Sequence, residues 1–268
     1  MTREDLELVP LFRDHLFAGR SLIFFDSIHS TNLFLLEHPE LLDQIGLVVM
    51  AKRQSKGIGR RGRKWEQGTY QHLFCSFVLR PELPQRLYPS VSLLVAVASW
   101  KAINTLGLKE HRLKWPNDIL IRGKKLCGIL CQNALSKKGI PTIIAGIGIN
   151  CQGPATQFPI DLIEQVTTLE EQGIETTPLK LMKLISVELE RLMHKVHRNG
   201  MDVVFSKWES LSDSFSRDIV FVKQGRKRIG RPTGLDSLGR LKVLDKKTGD
   251  TITIDSGEIE YLQHVMPS

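Results

Sequence analysis

The chain has 268 residues, 41% of them hydrophobic and 25% charged, a balance that predicts a globular protein with an ample core. Its formal net charge of +8 favours anionic partners such as nucleotides, nucleic acid or an acidic protein, although a basic surface without a particular partner gives the same value. No apolar run approaches the roughly 20 residues that span a bilayer, and no signal-peptide pattern opens the chain. We therefore expect a cytoplasmic protein without a membrane partner. The four cysteines lack metal-ligand spacing and indicate buried, reduced thiols.

The chain begins with a pattern typical of an amphipathic helix over residues 4–18, followed by a strand at residues 21–25. That strand leads into Ser30-Thr31-Asn32, residue types that cap a helix, and we predict a helix that ends near His38. A strand-to-helix turn of this kind also aims backbone N–H groups and small hydroxyls at one point. The turn is therefore either a helix cap alone or part of a binding site.

Residues 54–65 are the most unusual stretch of the chain. They follow a strand predicted at residues 46–51, and in them Gly57, Gly59 and Gly62 alternate with arginines until Trp65 ends the run. Glycine lets a ligand approach the main chain, and arginine presents donors that suit phosphate and carboxylate oxygens. The pattern indicates either a pliable cationic lid over an anion or a basic loop that binds nucleic acid through its phosphates.

The rest of the chain predicts a mixture of strands and helices. Strands are expected at residues 71–79, 119–121, 124–131 and 141–150, and helices at residues 87–106, 179–197 and 201–211. Gly146 and Gly148 leave an open strip on one sheet face, against which a ligand or another segment packs. From about residue 213, short strands separated by glycines indicate a small β-barrel. We therefore predict two domains, residues 1–212 and 213–268.

Four motifs stand in order along the chain: Ser30-Thr31-Asn32, the 54–65 loop, Lys114-Trp115-Pro116-Asn117-Asp118 with residues 125–130, and residues 146–150. In this order and spacing they resemble the biotin protein ligases over about residues 20–150. The resemblance implies an α+β fold, with a catalytic domain like that of class II aminoacyl-tRNA synthetases and biotin–lipoate ligases. Its sheet would be mixed, largely antiparallel and flanked by helices, and an SH3-like β-barrel would follow. The monofunctional type, without an N-terminal DNA-binding domain, is the expected one.

The resemblance implies a two-step reaction. Biotin and MgATP form biotinyl-5′-AMP and pyrophosphate, and a lysine of the biotin carboxyl carrier protein of acetyl-CoA carboxylase then takes the biotin. The expected ligands are ATP, Mg²⁺ and biotin, no DNA partner is expected, and the chain would be a monomer or a homodimer. Two alternatives stay open: a lipoate or octanoate ligase or transferase of the same fold, and a basic nucleic-acid-binding module.

The resemblance also implies roles for individual residues on the biotin side. Lys125 would hold the biotin carboxylate and the α-phosphate together, and Arg60 would retain the reactive intermediate, so these two are the candidate catalytic residues. The alternative for Lys125 is an ordinary surface lysine on a hairpin. The full biotin-binding set would be Ser30, Thr31, Asn32, Gln54, Gly57, Gly59, Arg60, Lys125, Gly128 and Gly148.

On the nucleotide side, the resemblance implies contacts from Arg61, Arg63, Trp65, Lys114, Asn117 and Asn150. Trp65 would stack on the adenine or anchor the base of the loop, and Asp118 would bind Mg²⁺ through water or only cap its turn. The sequence departs from the usual pattern at Ile58, where relatives often carry arginine. It also lacks an arginine or lysine after Gly257-Glu258-Ile259, which puts a nucleotide contact from the C-terminal barrel in doubt.

Overall fold

An eight-stranded sheet, a five-stranded sheet and four α-helices make up the described part of this computed structural model, which is residues 7–223, 225–255 and 259–261. The larger sheet contains β1 (Val9–Pro10), β2 (Ala18–Ile28), β3 (Gly46–Gln54), β4 (Leu73–Leu79), β5 (His111–Lys114), β6 (Asp118–Ile121), β7 (Lys124–Leu135) and β8 (Pro141–Ile149). The smaller sheet contains β9 (Ile219–Lys223), β10 (Arg226–Leu235), β11 (Leu241–Asp245), β12 (Thr251–Ile254) and β13 (Glu260–Tyr261). The helices are α1 (Thr31–Glu37), α2 (Val91–Thr105), α3 (Pro178–Asn199) and α4 (Asp202–Leu211).

The larger sheet is mixed and mostly antiparallel. Its strand order is β1-β2-β3-β4-β8-β7-β6-β5, and β2 pairs with β3 in parallel. Successive side chains of a strand point to opposite faces. Ile23 and Val49 accordingly join the apolar cluster of α1, whereas Leu22 and Val48 join the larger core that includes α2 and α3. The predicted α+β class, with a largely antiparallel sheet flanked by helices, is confirmed.

Local sequence sets the boundaries of the two longest helices. α3 begins where Thr177 Oγ1 accepts a hydrogen bond from the Lys180 backbone N–H at 3.2 Å, and Pro178 takes the first helical position. α2 begins at Val91 instead of the predicted residue 87, because Pro89 has no N–H to donate and lies in a preceding 3₁₀ turn. Both helices otherwise follow their predicted ranges.

The helix predicted over residues 4–18 is wrong for residues 7–18, and residues 4–6 lie outside the described part of the chain. Pro10 sits in the edge strand β1, and the Leu11 N–H donates to the Arg20 carbonyl at 3.0 Å. Glu190, from α3, accepts three further backbone hydrogen bonds at 2.7–3.0 Å, from Leu16, Phe17 and Ala18. Apart from β1 and the start of β2, these residues form turns, bends and irregular segments, and bonds to distant partners satisfy much of their backbone, so the local amphipathic pattern does not decide the structure.

The smaller sheet has the strand order β12-β11-β10-β9-β13, and its described pairings are antiparallel. It contacts the larger body through Gly239, which lies against Leu93 and Phe205 and accepts a hydrogen bond from Trp115 Nε1 at 3.4 Å. The predicted division between residues 212 and 213 falls between α4 and β9, and it stays a prediction. Within the described ranges, every helix is too short or too polar to cross a membrane.

Candidate active site

A cavity of about 700 Å³ opens on the α1 side of the larger sheet, and residues of all four sequence motifs line it. Of the predicted site residues, the structure places these along the cavity: Ser30, Thr31, Asn32, Gln54, Gly59, Arg60, Arg63, Trp65, Lys114, Asn117, Asp118, Lys125, Gly128, Gly148 and Asn150. Gly57 and Arg61 are not among the lining residues. Motifs separated by more than a hundred residues therefore meet in one place.

One end of the cavity is a buried polar cluster. The backbone N–H and the hydroxyl of Thr31 donate to Gln54 Oε1 at 2.8 and 3.2 Å, and Asn32 Nδ2 donates to Gln132 Oε1 at 2.7 Å. The hydroxyl of Ser76 on β4 lies 2.7 Å from Thr31 Oγ1 and 2.5 Å from Asn32 Oδ1. Side chains held by each other in this way present fixed donors and acceptors to a polar ligand.

Ser30 completes this end of the cavity. The sequence left open whether this turn only caps a helix or also forms part of a binding site. Its backbone occupies the cap position of α1, but its side chain makes no capping hydrogen bond although it is buried. Helix capping therefore does not account for the hydroxyl. Sequence reasoning missed Ser76 and Gln132. The available signal was a serine within the otherwise apolar strand β4, where a polar residue needs a partner.

The floor of the cavity is a pair of glycines covered by an indole ring. Gly128 on β7 and Gly148 on β8 are opposite each other in the sheet, and a Cβ atom on Gly148 would lie 2.7 Å from Trp65 Cε2. A Cβ atom on Gly146 would likewise collide with the Asn32 side chain, so this glycine leaves room for it. In this structure the open strip is thus packed by other chain segments. Trp65 Nε1 is buried without a hydrogen-bond partner among the described residues.

Lys125 brings a positive charge to the middle of the cavity. Its Nζ lies 2.8 Å from Asp118 Oδ1 and 5.2 Å from the centroid of the Trp65 ring. The Lys125 backbone N–H donates to the Gln165 carbonyl at 2.7 Å, so residues 165–167 run beside the start of β7 and hold the residue in place. The neighbouring Lys124 points outward and pairs with Glu164 at 3.3 Å on the surface. Of this pair, Lys125 is the residue that faces the cavity.

The 54–65 loop forms a short hairpin over the cavity. Gly59 donates its N–H to the Arg63 carbonyl at 2.7 Å, and Trp65 donates to the Gly57 carbonyl at 2.8 Å. Arg61 forms the tip, where its φ of 57° is a left-handed conformation. The hairpin geometry turns Arg60 and Arg63 toward the cavity, and Arg60 Nη1 lies 3.4 Å from Asn117 Oδ1.

Two predicted nucleotide residues also hold the backbone together. Asn117 Nδ2 donates to the Ile129 carbonyl at 2.7 Å, and Asn150 Nδ2 donates to the carbonyls of Thr167 at 3.1 Å and Lys125 at 3.3 Å. The amide nitrogen of each side chain is therefore engaged by the main chain. Both residues also line the cavity, where their remaining side-chain atoms can contact a ligand.

One wall of the cavity comes from residues 158–166, a region in which we predicted no site residue, and it combines apolar side chains with Glu164 and Gln165. Phe158 and Val166 pack together in a small core, and Leu162 joins them. Ile259 and Glu260 from the C-terminal part also reach the lining, while Gly257 and Glu258 of that motif lie outside the described residues. Apolar spacing in residues 155–166 was the signal that would have predicted this wall.

The cavity does not contain a preformed metal site within the described residues. They include no group of three or more histidine, cysteine or carboxylate side chains suited to a metal ion. The predicted metal residue, Asp118, has Oδ1 beside the Lys125 ammonium. A single carboxylate of this kind suits water-mediated contact to Mg²⁺ that arrives with phosphates.

Comparisons with known proteins agree with the motifs. The biotin/lipoate A/B protein ligase family matches residues 24–150. The biotin–[acetyl-CoA-carboxylase] ligase of Mycobacterium tuberculosis is 30% identical over 278 residues, an alignment that covers 98% of this chain and 100% of the relative. The bifunctional ligase/repressor BirA of Bacillus spizizenii is 30% identical over 224 residues, which cover 83% of this chain and 69% of the relative.

A solved structure extends the similarity to the whole fold. The biotin protein ligase from Aquifex aeolicus in complex with biotin and ATP is similar with a TM-score of 0.73 at 26% identity, over 90% of this chain and 98% of that one. The comparisons favour neither a lipoate ligase nor a nucleic-acid-binding module. The chain therefore belongs to the biotin protein ligase family.

Proposed function

We propose that this protein activates biotin with MgATP to biotinyl-5′-AMP and then transfers the biotin to a lysine of a biotin carboxyl carrier protein. The observation that carries the proposal is the position of Lys125. Its ammonium lies in the same cavity as the polar cluster of Thr31, Asn32 and Gln54 and as the arginine hairpin. A relative with biotin and ATP bound supports the same pair of ligands.

The polar cluster suits the ureido ring of biotin. That ring offers two N–H donors and one carbonyl acceptor, and amide and hydroxyl groups supply matching partners. Ser30, Thr31 and Asn32 are buried, and the side chains of Thr31 and Asn32 are held by hydrogen bonds to neighbours, so these two lose little side-chain freedom when the ring binds. The Gly128–Gly148 floor and the Trp65 ring would border the apolar part of biotin.

The cationic side chains suit the first chemical step. An oxygen of the biotin carboxylate attacks the α-phosphorus of ATP, the bond to the β-phosphate breaks, and pyrophosphate leaves. Both reactants are anionic, so their approach requires positive groups placed where charge builds up. Lys125 is proposed to bridge the carboxylate and the α-phosphate, while Arg63 and Lys114 face the departing phosphates. Mg²⁺ enters as part of the MgATP substrate, and Asp118 would contact it through water.

The arginine hairpin suits the second step. The amine of the carrier lysine attacks the acyl carbon, the acyl–phosphate bond breaks, and AMP leaves with the bonding electrons. A mixed anhydride reacts readily with water, so it must be kept enclosed until the carrier arrives. Arg60 is proposed to retain it, because the hairpin holds this side chain at the cavity beside Asn117.

One assay distinguishes the proposal from its nearest alternative. ATP–pyrophosphate exchange is measured with biotin and with lipoate in parallel. We expect exchange that depends on biotin, followed by biotinylation of one lysine when a carrier domain is added. Exchange with lipoate or octanoate and none with biotin would replace the proposal by a lipoate ligase.

A further inference from the structure

A second cavity lies on the face of the larger sheet opposite α1, where α2, α3 and α4 come together. Its volume is about 600 Å³, and seven residues line it: Lys101, Leu192, Lys195, Arg198, Asn199, Val203 and Lys207. Four of these are cationic and none is a carboxylate. The cavity shares no lining residue with the candidate active site.

Helix electrostatics explain only part of this cluster. Lys195 and Arg198 lie near the C-terminus of α3, where cations favourably oppose the partial negative charge of the helix end. Lys101 and Lys207 come from α2 and α4 and precede the last turn of their helices. Three helices thus direct cations into one concavity, an arrangement that costs free energy through mutual repulsion.

The carboxylate beside the cluster does not neutralise it. Glu188 Oε2 is 3.9 Å from Lys101 Nζ, but Oε1 of the same group already pairs with Arg191 at 2.6 Å. Burial lowers the pKa of Lys101, Glu188 opposes that effect, and the nearby Lys195, Lys207 and Arg191 add to it. The neighbouring cations therefore disfavour the charged form of Lys101, which is the most buried of the four.

We propose that this cavity binds a small, multiply charged phosphate anion. Its volume falls in the usual range for small-ligand sites, about 300–1,000 Å³. The Arg198 fork and three ammonium groups suit phosphate oxygens, and Leu192 and Val203 form an apolar wall for an organic group attached to the phosphate. Because the cations surround a concavity, a compact polyphosphate fits them better than an extended nucleic-acid backbone.

Calorimetric titration with pyrophosphate tests the proposal, at constant ionic strength and with the active site saturated by biotin and a non-hydrolysable ATP analogue. We expect one remaining site whose affinity falls at least tenfold in the double variant Lys101→Gln/Lys207→Gln. The matched control is Lys180→Gln/Lys183→Gln, which removes two exposed lysines of α3 outside the cavity. Biotinylation activity should be unchanged in both variants. Neither double variant changes a residue of the candidate active site. The difference in pyrophosphate affinity between the two variants therefore does not depend on the proposed function.

A melting experiment guards against misfolding of the variants. Without added anions, the cavity variant should melt at a higher temperature than the wild type, because repulsion between the cations is reduced. Added pyrophosphate should raise the melting temperature of the wild type more than that of the cavity variant. If the cavity variant melts early, Lys195→Gln/Arg198→Gln replaces it, since both side chains are exposed. Equal affinities in cavity and control variants would mean an adventitious ion only. Duplex DNA that binds through these cations and is not displaced by pyrophosphate would also overturn the proposal.

Discussion

The ammonium of Lys114 lies 5.2 Å from the centroid of the Tyr261 ring, and this contact links the edge of the larger sheet to the last described strand of the smaller one. The Tyr261 hydroxyl is held by Ser214 Oγ at 2.8 Å and by Asp213 Oδ1 at 3.1 Å. Burial raises the pKa of this phenol, which keeps it neutral. The C-terminal part therefore has a fixed aromatic face beside a lysine that lines the candidate active site.

This contact predicts a role for Tyr261 in positioning Lys114. Tyr261→Leu removes the ring and should raise the KM for ATP about fivefold, the equivalent of ~1 kcal/mol for a partly exposed cation–π contact. The KM for biotin should not change, because the described hydrogen bonds and cation–π contacts of the Tyr261 side chain are with Lys114 and with residues 213–217, and not with the polar cluster. Tyr261→Phe keeps the ring and should restore most of the affinity for ATP. Equal KM values for Leu and Phe variants would show that the ring has no such role.

Lys125 and Lys124 form a matched pair for mutagenesis. Lys125→Ala should reduce biotin-dependent ATP–pyrophosphate exchange by more than about a hundredfold, because the reacting carboxylate and phosphate lose a shared positive group. Lys124→Ala, which removes only a surface ion pair, should leave the exchange within about twofold of wild type. Thermal melting of both variants checks the fold. Normal exchange in folded Lys125→Ala would refute the proposed role.

Arg60 and Arg61 provide a second matched pair, on the hairpin. Arg60→Gly should release biotinyl-adenylate, detected as biotin on lysines of an added bystander protein. Arg61→Gly should not, because Arg61 does not line the cavity and its positive φ suits glycine. If labelling in Arg60→Gly stays confined to the carrier lysine, then another group retains the intermediate.

The glycine floor predicts a coupled pair of substitutions. Gly148→Ala should weaken biotin binding and lower the free energy of unfolding by about 1–3 kcal/mol, because the new methyl group collides with the Trp65 ring. Adding Trp65→Leu should recover much of the lost stability. Urea unfolding of the two single variants and the double variant gives the coupling energy. Strictly additive effects would mean that the ring and the glycine do not contact each other in solution.

Buried His72 predicts a loss of stability in mild acid. Its Nδ1 accepts the Cys151 backbone N–H at 3.1 Å, which leaves Nε2 to donate to Gln157 Oε1 at 3.2 Å. Burial lowers the pKa of His72 below 6.5, and the bond to Gln157 only partly opposes this. The unfolded chain therefore takes up the proton first, so stability falls as the pH drops through 6.5 toward the folded-state pKa.

Urea unfolding at pH 7 and pH 5 measures this effect. The difference in unfolding free energy between the two conditions should be smaller in His72→Gln than in the wild type. Part of the difference should remain, because burial lowers the pKa of His111 as well. His197→Gln, which changes an exposed histidine, serves as the control. An identical pH dependence in wild type and His72→Gln would contradict the assignment.

The sequence alone determined the features that depend on neighbouring residues. β-branched runs predicted the central strands, apolar spacing predicted α3 and α4, and glycine with arginine marked the 54–65 hairpin. The order of the four motifs was enough for the family, since each motif is a short continuous segment. These properties are local, and backbone propensity and side-chain periodicity encode them directly.

Only the tertiary structure decided which distant residues meet. Ser76 joins the polar cluster because the register of β4 brings it beside α1, and Glu190 binds the backbone N–H groups of residues 16–18, which form no helix although their own pattern favours one. Trp65 covers Gly148, and three separate helices assemble the basic cavity. Contacts of this kind depend on strand register and helix packing, which are properties of the whole core and leave little trace in any single stretch of sequence.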